Sequence, residues 1–169
     1  MKAFIYVLFV LLSLDIKAQN SHTVSLNGTW TLNYGLFDKN APTTPDELKL
    51  KNWPLVKATV PGNVELDLYN SGIVKNPEVG NNIYDLRKYE AYQWWYSRNF
   101  VSLQLAEGER AELVFEGLDC FATIWINNQK LGETDNMLIA HRFDVTDLLK
   151  TSGNTLAIRI NPAVKEGQK

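Results

Sequence analysis

V-F-E-G-L-D-C-F-A-T-I-W-I-N-N-Q-K-L-G, residues 114–132, is the stretch whose reading decides the fold. Within it, residues 121–126 alternate two uncharged sets, Phe121/Thr123/Trp125 and Ala122/Ile124/Ile126. A run with no charged face, rich in β-branched and aromatic residues, predicts a strand covered on both sides near the middle of a sandwich. Cys120 reads as a small core residue inside that buried strand. Asn127 and Asn128 follow at once. Asparagine tolerates positive φ better than most residues, so the pair predicts a tight hairpin turn, with the return strand starting at Gln129.

Toward the N-terminus, Asn27-Gly28 reads as a turn before an amphipathic strand carrying Trp30, Leu32 and Tyr34. Asn27-Gly28-Thr29 also fits a glycosylation sequon, but Asn-Gly is the expected chemistry of a turn. Residues 38–52 are polar, contain Pro42 and Pro45, and read as a surface excursion. Residues 57–60 form a short strand stopped by Pro61-Gly62. Residues 63–72 predict one short helix, with Asn63 as N-cap, Glu65 and Asp67 facing the positive helix end, and Gly72 past its C-terminus. Residues 73–90 form a long irregular segment, the kind that carries function on a sandwich. Residues 93–101 resume as a strand with Trp94, Tyr96 and Phe100 facing inward.

Toward the C-terminus, residues 111–115 form the strand that feeds the central one. Residues 132–137 read as a loop and 138–143 as another strand. A helical turn over 144–149 is capped by Thr146, and 155–160 alternate as a last strand. About eight strands with one or two short helices predict an all-β sandwich, best described as a jelly roll.

The chain opens with Met1-Lys2, an apolar run over 3–14, and Ala18 before Gln19. That pattern predicts a secretory signal peptide over 1–18, hence an exported protein, periplasmic or extracellular. The apolar run is short for a bilayer span. The remaining length suits one domain with a sizeable core. Net charge is −2 with no basic stripe, which argues against nucleic acid and anionic membranes as partners. A single Cys forms no internal disulfide. His22 and His141 stand alone, without metal-ligand spacing, and no cofactor motif is present.

Several stretches, taken in order, resemble the N-terminal sugar-binding domain of glycoside hydrolase family 2. They are L-N-G-T-W-T-L (26–32), V-P-G-N-V (60–64), W-W-Y-S-R-N-F (94–100), 115–132, F-D-V-T-D-L-L (143–149) and G-N-T-L-A-I-R-I (153–160). The V-P-G-N-V helix and the excursion after it are most similar to β-mannosidase and exo-β-glucosaminidase-like members. Asn128 departs from the family's usual Gly. The resemblance implies a galactose-binding-domain-like jelly roll over 19–169, at the N-terminal end of a longer retaining exo-glycosidase. In that family two catalytic glutamates lie on a (β/α)₈ barrel that follows, about 5–5.5 Å apart. No strand–helix alternation for a barrel occurs here. The family's Trp-Asp segment, which comes later in this domain and reaches the sugar, has no counterpart in the sequence. The chain is therefore expected to carry no catalytic residue and to be inactive alone. Its implied partners are a terminal β-linked carbohydrate and the downstream barrel.

Among single residues, Glu112, Glu116 and Asp119 read as a solvated face rather than a catalytic set. His141 reads as structural. Trp94 and Trp95 must point to opposite sides, so at most one is free to stack on a sugar. Asn81 and Asn82 are the candidate substrate contacts: amides in the one long loop, each offering a donor and an acceptor to hydroxyls. A turn pair beside Gly80 is the competing reading. Two other functions fit the same strands, a free-standing carbohydrate-binding module and a structural or protein-interaction sandwich. A free-standing lectin calls for exposed aromatics on one face or an acidic calcium cluster, and neither is evident.

Overall fold

Eight strands form among the residues that a computed structural model describes, 21–102 and 104–167. The expected signal peptide, 1–18, lies outside the described residues. Six strands make one antiparallel sheet in the order β2-β1-β3-β8-β5-β6. They are β1 (Gly28–Leu36), β2 (Leu55–Val60), β3 (Tyr92–Phe100), β5 (Ala122–Ile126), β6 (Gln129–Thr134) and β8 (Asn154–Ile160). A second, two-stranded sheet pairs β4 (Glu112–Phe115) with β7 (His141–Asp144). The all-β sandwich reading holds.

All five residues of β5 are buried, as the uncharged alternation requires. Its place differs from the expectation. β3 and β8 hold the middle of the sheet, and β5 is one strand in from the edge. Alternation reports coverage of the two faces, not lateral order. Asn127 and Asn128 have φ of 53° and 67°, the conformation of a two-residue type I′ hairpin, which hands the chain to edge strand β6. Cys120 stands before β5 and is only half-buried.

The inner face of the large sheet carries Trp30, Leu32, Val56, Trp94, Tyr96, Ile124 and Ile158. The second layer over it is mixed. Leu113, Phe115 and Phe143 of β4 and β7 cover one part. The other part is covered by Val64 and Leu68 of α2 (Val64–Asn70) and by Val74 and Tyr89 beyond it. Burying a side chain such as Leu68 contributes roughly 1.5–3 kcal/mol. Gly132 of β6 makes room for this layer, since a Cβ there would meet the Phe143 ring.

The outer face is also covered, by the 38–52 excursion and Trp53 just after it. Trp95 and Trp125 stack there at 5.1 Å with 25° between planes, and Leu48 and Trp53 pack against them. Trp53 lies where a Cβ on Gly35 would be. The excursion contains a helix not expected from its polar, proline-bearing composition, α1 (Pro45–Lys49). Its signals are local: Thr44 accepts from the Glu47 amide, Pro45 starts the helix, and Asp46 and Glu47 fill the first turn. A third short helix, α3 (Ala163–Glu166), follows β8, and two 3₁₀ segments span Asn82–Tyr89 and Thr146–Leu148. Helical elements thus exceed the expected one or two.

Other expectations need correction. β7 begins at His141, and Leu138 and Ile139 before it are exposed, so their apolar character did not mark a buried strand. Thr146 does not cap its own turn. Asp144 accepts from the Thr146 amide and hydroxyl, while the Thr146 oxygen accepts from the Ala111 amide. Asp67 is more than a dipole partner: it is buried and accepts from the Thr59 amide at 3.0 Å.

Candidate functional site

Strand register gathers several connections at one end of the sandwich. Leu36 pairs with Tyr92, Trp94 with Ile160, and Ala122 with both Ile160 and Thr134. The ends of β1, β6 and β8 therefore meet the starts of β3 and β5. Residues 73–90 arrive here, and the chain leaves β8 here through Asn161.

Residues 73–90 are held rather than loose. The expected irregular segment is half 3₁₀ helix, because three features tie it down. Leu86 is buried. Tyr89 meets the rings of Tyr34 and Tyr92 edge-on at 6.2 and 5.1 Å. Tyr34 in turn stacks on Trp94 at 5.3 Å. Each such ring pair adds about 0.5–1.5 kcal/mol beyond area burial. Burial, with Tyr89 and Tyr92 beside it, raises the Tyr34 pKa above the ordinary phenol value. The Phe37 amide donates to the Ala91 carbonyl and closes the end of the segment onto β1.

The two candidate asparagines differ. The Asn82 side-chain nitrogen donates to the Asn76 carbonyl at 2.9 Å and closes the 76–82 loop, which commits the donor end of this amide to the fold. Asn81 is exposed and its side chain makes no capping bond, while its carbonyl accepts from the Tyr84 amide. Neither Trp94 nor Trp95 is free: the first is in the inner core and the second is fully buried beneath Trp125.

Where β5 starts and β6 and β8 end lies a polar hollow of about 470 Å³. Thr123, Glu133, Asp135, Arg159, Asn161 and Glu166 line it. Arg159 lies over the Trp125 and Trp95 rings at 5.4 and 5.8 Å. It donates to the Thr123 hydroxyl and the Thr43 carbonyl, both at 2.9 Å. Burial lowers its pKa, against the opposing pull of Glu133, Glu166 and Glu47. A hydrogen bond from Lys130 holds Glu133 below the ordinary carboxylate range. Asn161 accepts from Gln93 and donates to Glu166. The hollow was missed in the sequence. Parity sets Arg159 opposite Leu156 and Ile158, but only the register of β8 against β5 puts it beside Thr123.

No acid–base pair emerges from these groups. Glu112 pairs with Arg142 at 2.6 Å on the surface, and Glu116 and Asp119 are exposed. Asp67 is raised, first by burial, but it lies against the inner core and not in the hollow. His141 is bonded to the Asn136 carbonyl at 2.6 Å. Among the described residues, no group of three or more His, Cys, Asp or Glu is placed to hold a metal ion. No described helix is long and apolar enough to cross a membrane.

Residues 36–169 match the family model for the glycosyl hydrolase 2 galactose-binding domain-like fold. The chain belongs to this glycosyl hydrolase 2 family. Similar proteins include β-mannosidase B of Thermothelomyces thermophilus, 39% identical over 109 residues, which cover 64% of this chain and 13% of that protein. Mouse β-mannosidase is 31% identical over 83% of this chain and 14% of its own length. The crystal structure of β-D-mannosidase from Dictyoglomus thermophilum superposes with a TM-score of 0.66 at 35% identity, over 85% of this chain and 16% of that one. The exo-chitosanase of Amycolatopsis orientalis, at 19% identity and a TM-score of 0.61, shares the fold. This chain therefore has the non-catalytic N-terminal domain of β-mannosidase-like glycosyl hydrolase 2 proteins, and it spans less than a fifth of these relatives.

Proposed function

We propose that this glycosyl hydrolase 2 domain serves, in a longer exported β-mannosidase-like enzyme, to brace a catalytic barrel and to lend residues 76–84 to the edge of its sugar site. The chain alone hydrolyses nothing in this reading, because it supplies no acid and nucleophile pair. The observation that carries it is the meeting of two connections at one end of the sheet: residues 73–90, which hold Asn81 and Asn82, lead into the start of β3 where the chain leaves β8. Asn82 or Asn81 then hydrogen-bonds a hydroxyl of the non-reducing sugar. The turn is already closed by the Asn82–Asn76 bond, so little ordering entropy is lost on binding.

The test is kinetic, on the full-length enzyme with an aryl β-mannoside. Asn81→Ala and Asn82→Ala are made separately. Loss of one neutral hydrogen bond costs about 0.5–1.5 kcal/mol in kcat/KM, and a share appears in kcat if the bond strengthens in the transition state. Wild-type kcat/KM and stability in both variants would reduce the turn to scaffold alone.

A further inference from the structure

The 3₁₀ helix over Asn82–Tyr89 has two unlike rows of side chains. With three residues per turn, side chains at i and i+3 fall into line. Leu86 and Tyr89 form the row that meets the core: Leu86 is buried, and Tyr89 packs edge-on against Tyr34 and Tyr92. Asn81, Tyr84 and Arg87 form another row, and all three are exposed. Contacts along this row follow the same period. The Tyr84 amide donates to the Asn81 carbonyl at 3.1 Å, and the Arg87 guanidinium lies over the Tyr84 ring at 5.0 Å.

A single exposed aromatic is ordinary on a protein surface. Tyr84 differs in its setting. It is 57% exposed, yet it stands on a helix anchored in the core, and a cation restrains its ring. That restraint lowers the entropy cost of using the ring in a contact. One turn before it, Asn81 offers an amide that makes no capping bond. A pyranose presents an apolar face of C–H groups to an aromatic ring and hydroxyls to an amide, so this row has the chemistry to hold a sugar by both. The spacing assigns the two contacts to different units. One 3₁₀ turn advances about 6 Å, on the scale of one pyranose ring.

We infer that Tyr84 is a stacking platform for the sugar on the leaving-group side of the scissile bond, with Arg87 as the positioning residue behind it. This rests on the proposed function, in which the asparagine one turn earlier bonds the non-reducing sugar. The site then discriminates by leaving group: a glycan leaving group gains the stack, and a leaving group without a ring gains nothing.

The test compares two substrates on the full-length protein, a β-linked mannobiose and β-mannosyl fluoride. They share the sugar that is cleaved, but fluoride is too small to reach the ring. Tyr84→Ala should lower kcat/KM for mannobiose about tenfold and leave the fluoride within about twofold. Arg87→Gln should cost mannobiose about two- to fivefold and spare the fluoride likewise. Tyr84→Trp, which keeps a stacking face, should hold mannobiose within about twofold, and it decides the matter if the alanine variant folds poorly. An unchanged mannobiose rate in Tyr84→Ala, an equal loss on both substrates, or a loss in Tyr84→Trp as large as in Tyr84→Ala overturns the platform. The asparagine contact is scored separately, because Asn81→Ala and Asn82→Ala should affect both substrates. Wild-type rates in both asparagine variants refute that contact and leave the Tyr84 result standing. Should the protein hydrolyse neither substrate, saturation-transfer NMR with mannobiose decides. Transfer that is lost in Tyr84→Ala refutes the hydrolase reading and keeps the platform, whereas no transfer from the wild type overturns both.

Discussion

The two ends of this sandwich are built on opposite plans. The end away from residues 73–90 is closed by side chains bonded to backbone. Asn127 donates to the Leu148 carbonyl and to Asn154, and accepts from the Thr155 amide. Asn154, fully buried, both accepts from the Lys150 amide and donates to its carbonyl. Arg98 donates to the Leu26 and Asn27 carbonyls at 2.7 Å each. The other end has longer connections, an aromatic cluster beneath them and apolar side chains above. A sandwich must satisfy the backbone groups of its turns somewhere. Here short asparagine-rich turns do so internally at one end, while the long connections at the other hold the asparagines that the proposed function uses.

The largest expected effect comes from breaking the body that both ends share. Trp125→Ala removes a ring that is 4% exposed and stacked on Trp95. Chemical denaturation should show a loss of about 3–5 kcal/mol. A change under about 1 kcal/mol would mean the outer-face stack matters little to either end.

Asn127→Gly sharpens the contrast. Glycine accepts the φ of 53° without strain, so only the side-chain bonds are lost. The Leu148 carbonyl and the Thr155 amide lose their side-chain partner, while the buried Asn154 keeps its two bonds to Lys150. A loss of about 1–3 kcal/mol is expected. A neutral result would show that the closed end is held by turn geometry alone.

Asp67 gives a pH-dependent probe of the cover that leads into residues 73–90. Its carboxyl is raised, first by burial and also by Glu65, despite the Thr59 amide bond that lowers it. The folded protein therefore binds this proton more tightly than the unfolded chain. Its ionisation costs stability, progressively as pH rises from the unfolded carboxylate value through the raised one. Asp67→Asn keeps an acceptor for the Thr59 amide and removes that ionisation. The Tm of the wild type should fall relative to the variant as pH rises across that window. Parallel curves would contradict the burial argument.

The smallest effect is expected at Asn128→Gly. Asn128 donates to Asp46 at an exposed site, and glycine relieves its φ of 67°. The two terms oppose, and the net change should lie within about 0.5 kcal/mol by denaturation. A loss as large as that at Asn127 would make the hairpin a second structural anchor, tied to α1.

Local features of the fold are legible along the chain. The alternation in 121–126, the Asn127-Asn128 turn, the Asn63 cap and the opposed faces of Trp94 and Trp95 depend on period and local geometry, which neighbouring residues set. Asn81 and Asn82 are legible as a turn in a long connection, but not as two different environments, one bonded to Asn76 and one exposed.

The sequence by itself determined most of the strands and turns and which of their faces are apolar, though not α1 or the start of β7, because hydrophobic period, caps and positive-φ residues act over a few positions. It also carried the resemblance to glycoside hydrolase family 2. Tertiary structure decided the rest. It put β5 beside the edge strand, paired Arg159 with Thr123, bonded the buried Asp67 to the Thr59 amide, and brought the start of β3 to the end of β8. Each of these depends on lateral strand order and register between segments far apart in sequence. A strand's own alternation is the same whichever neighbour it pairs with.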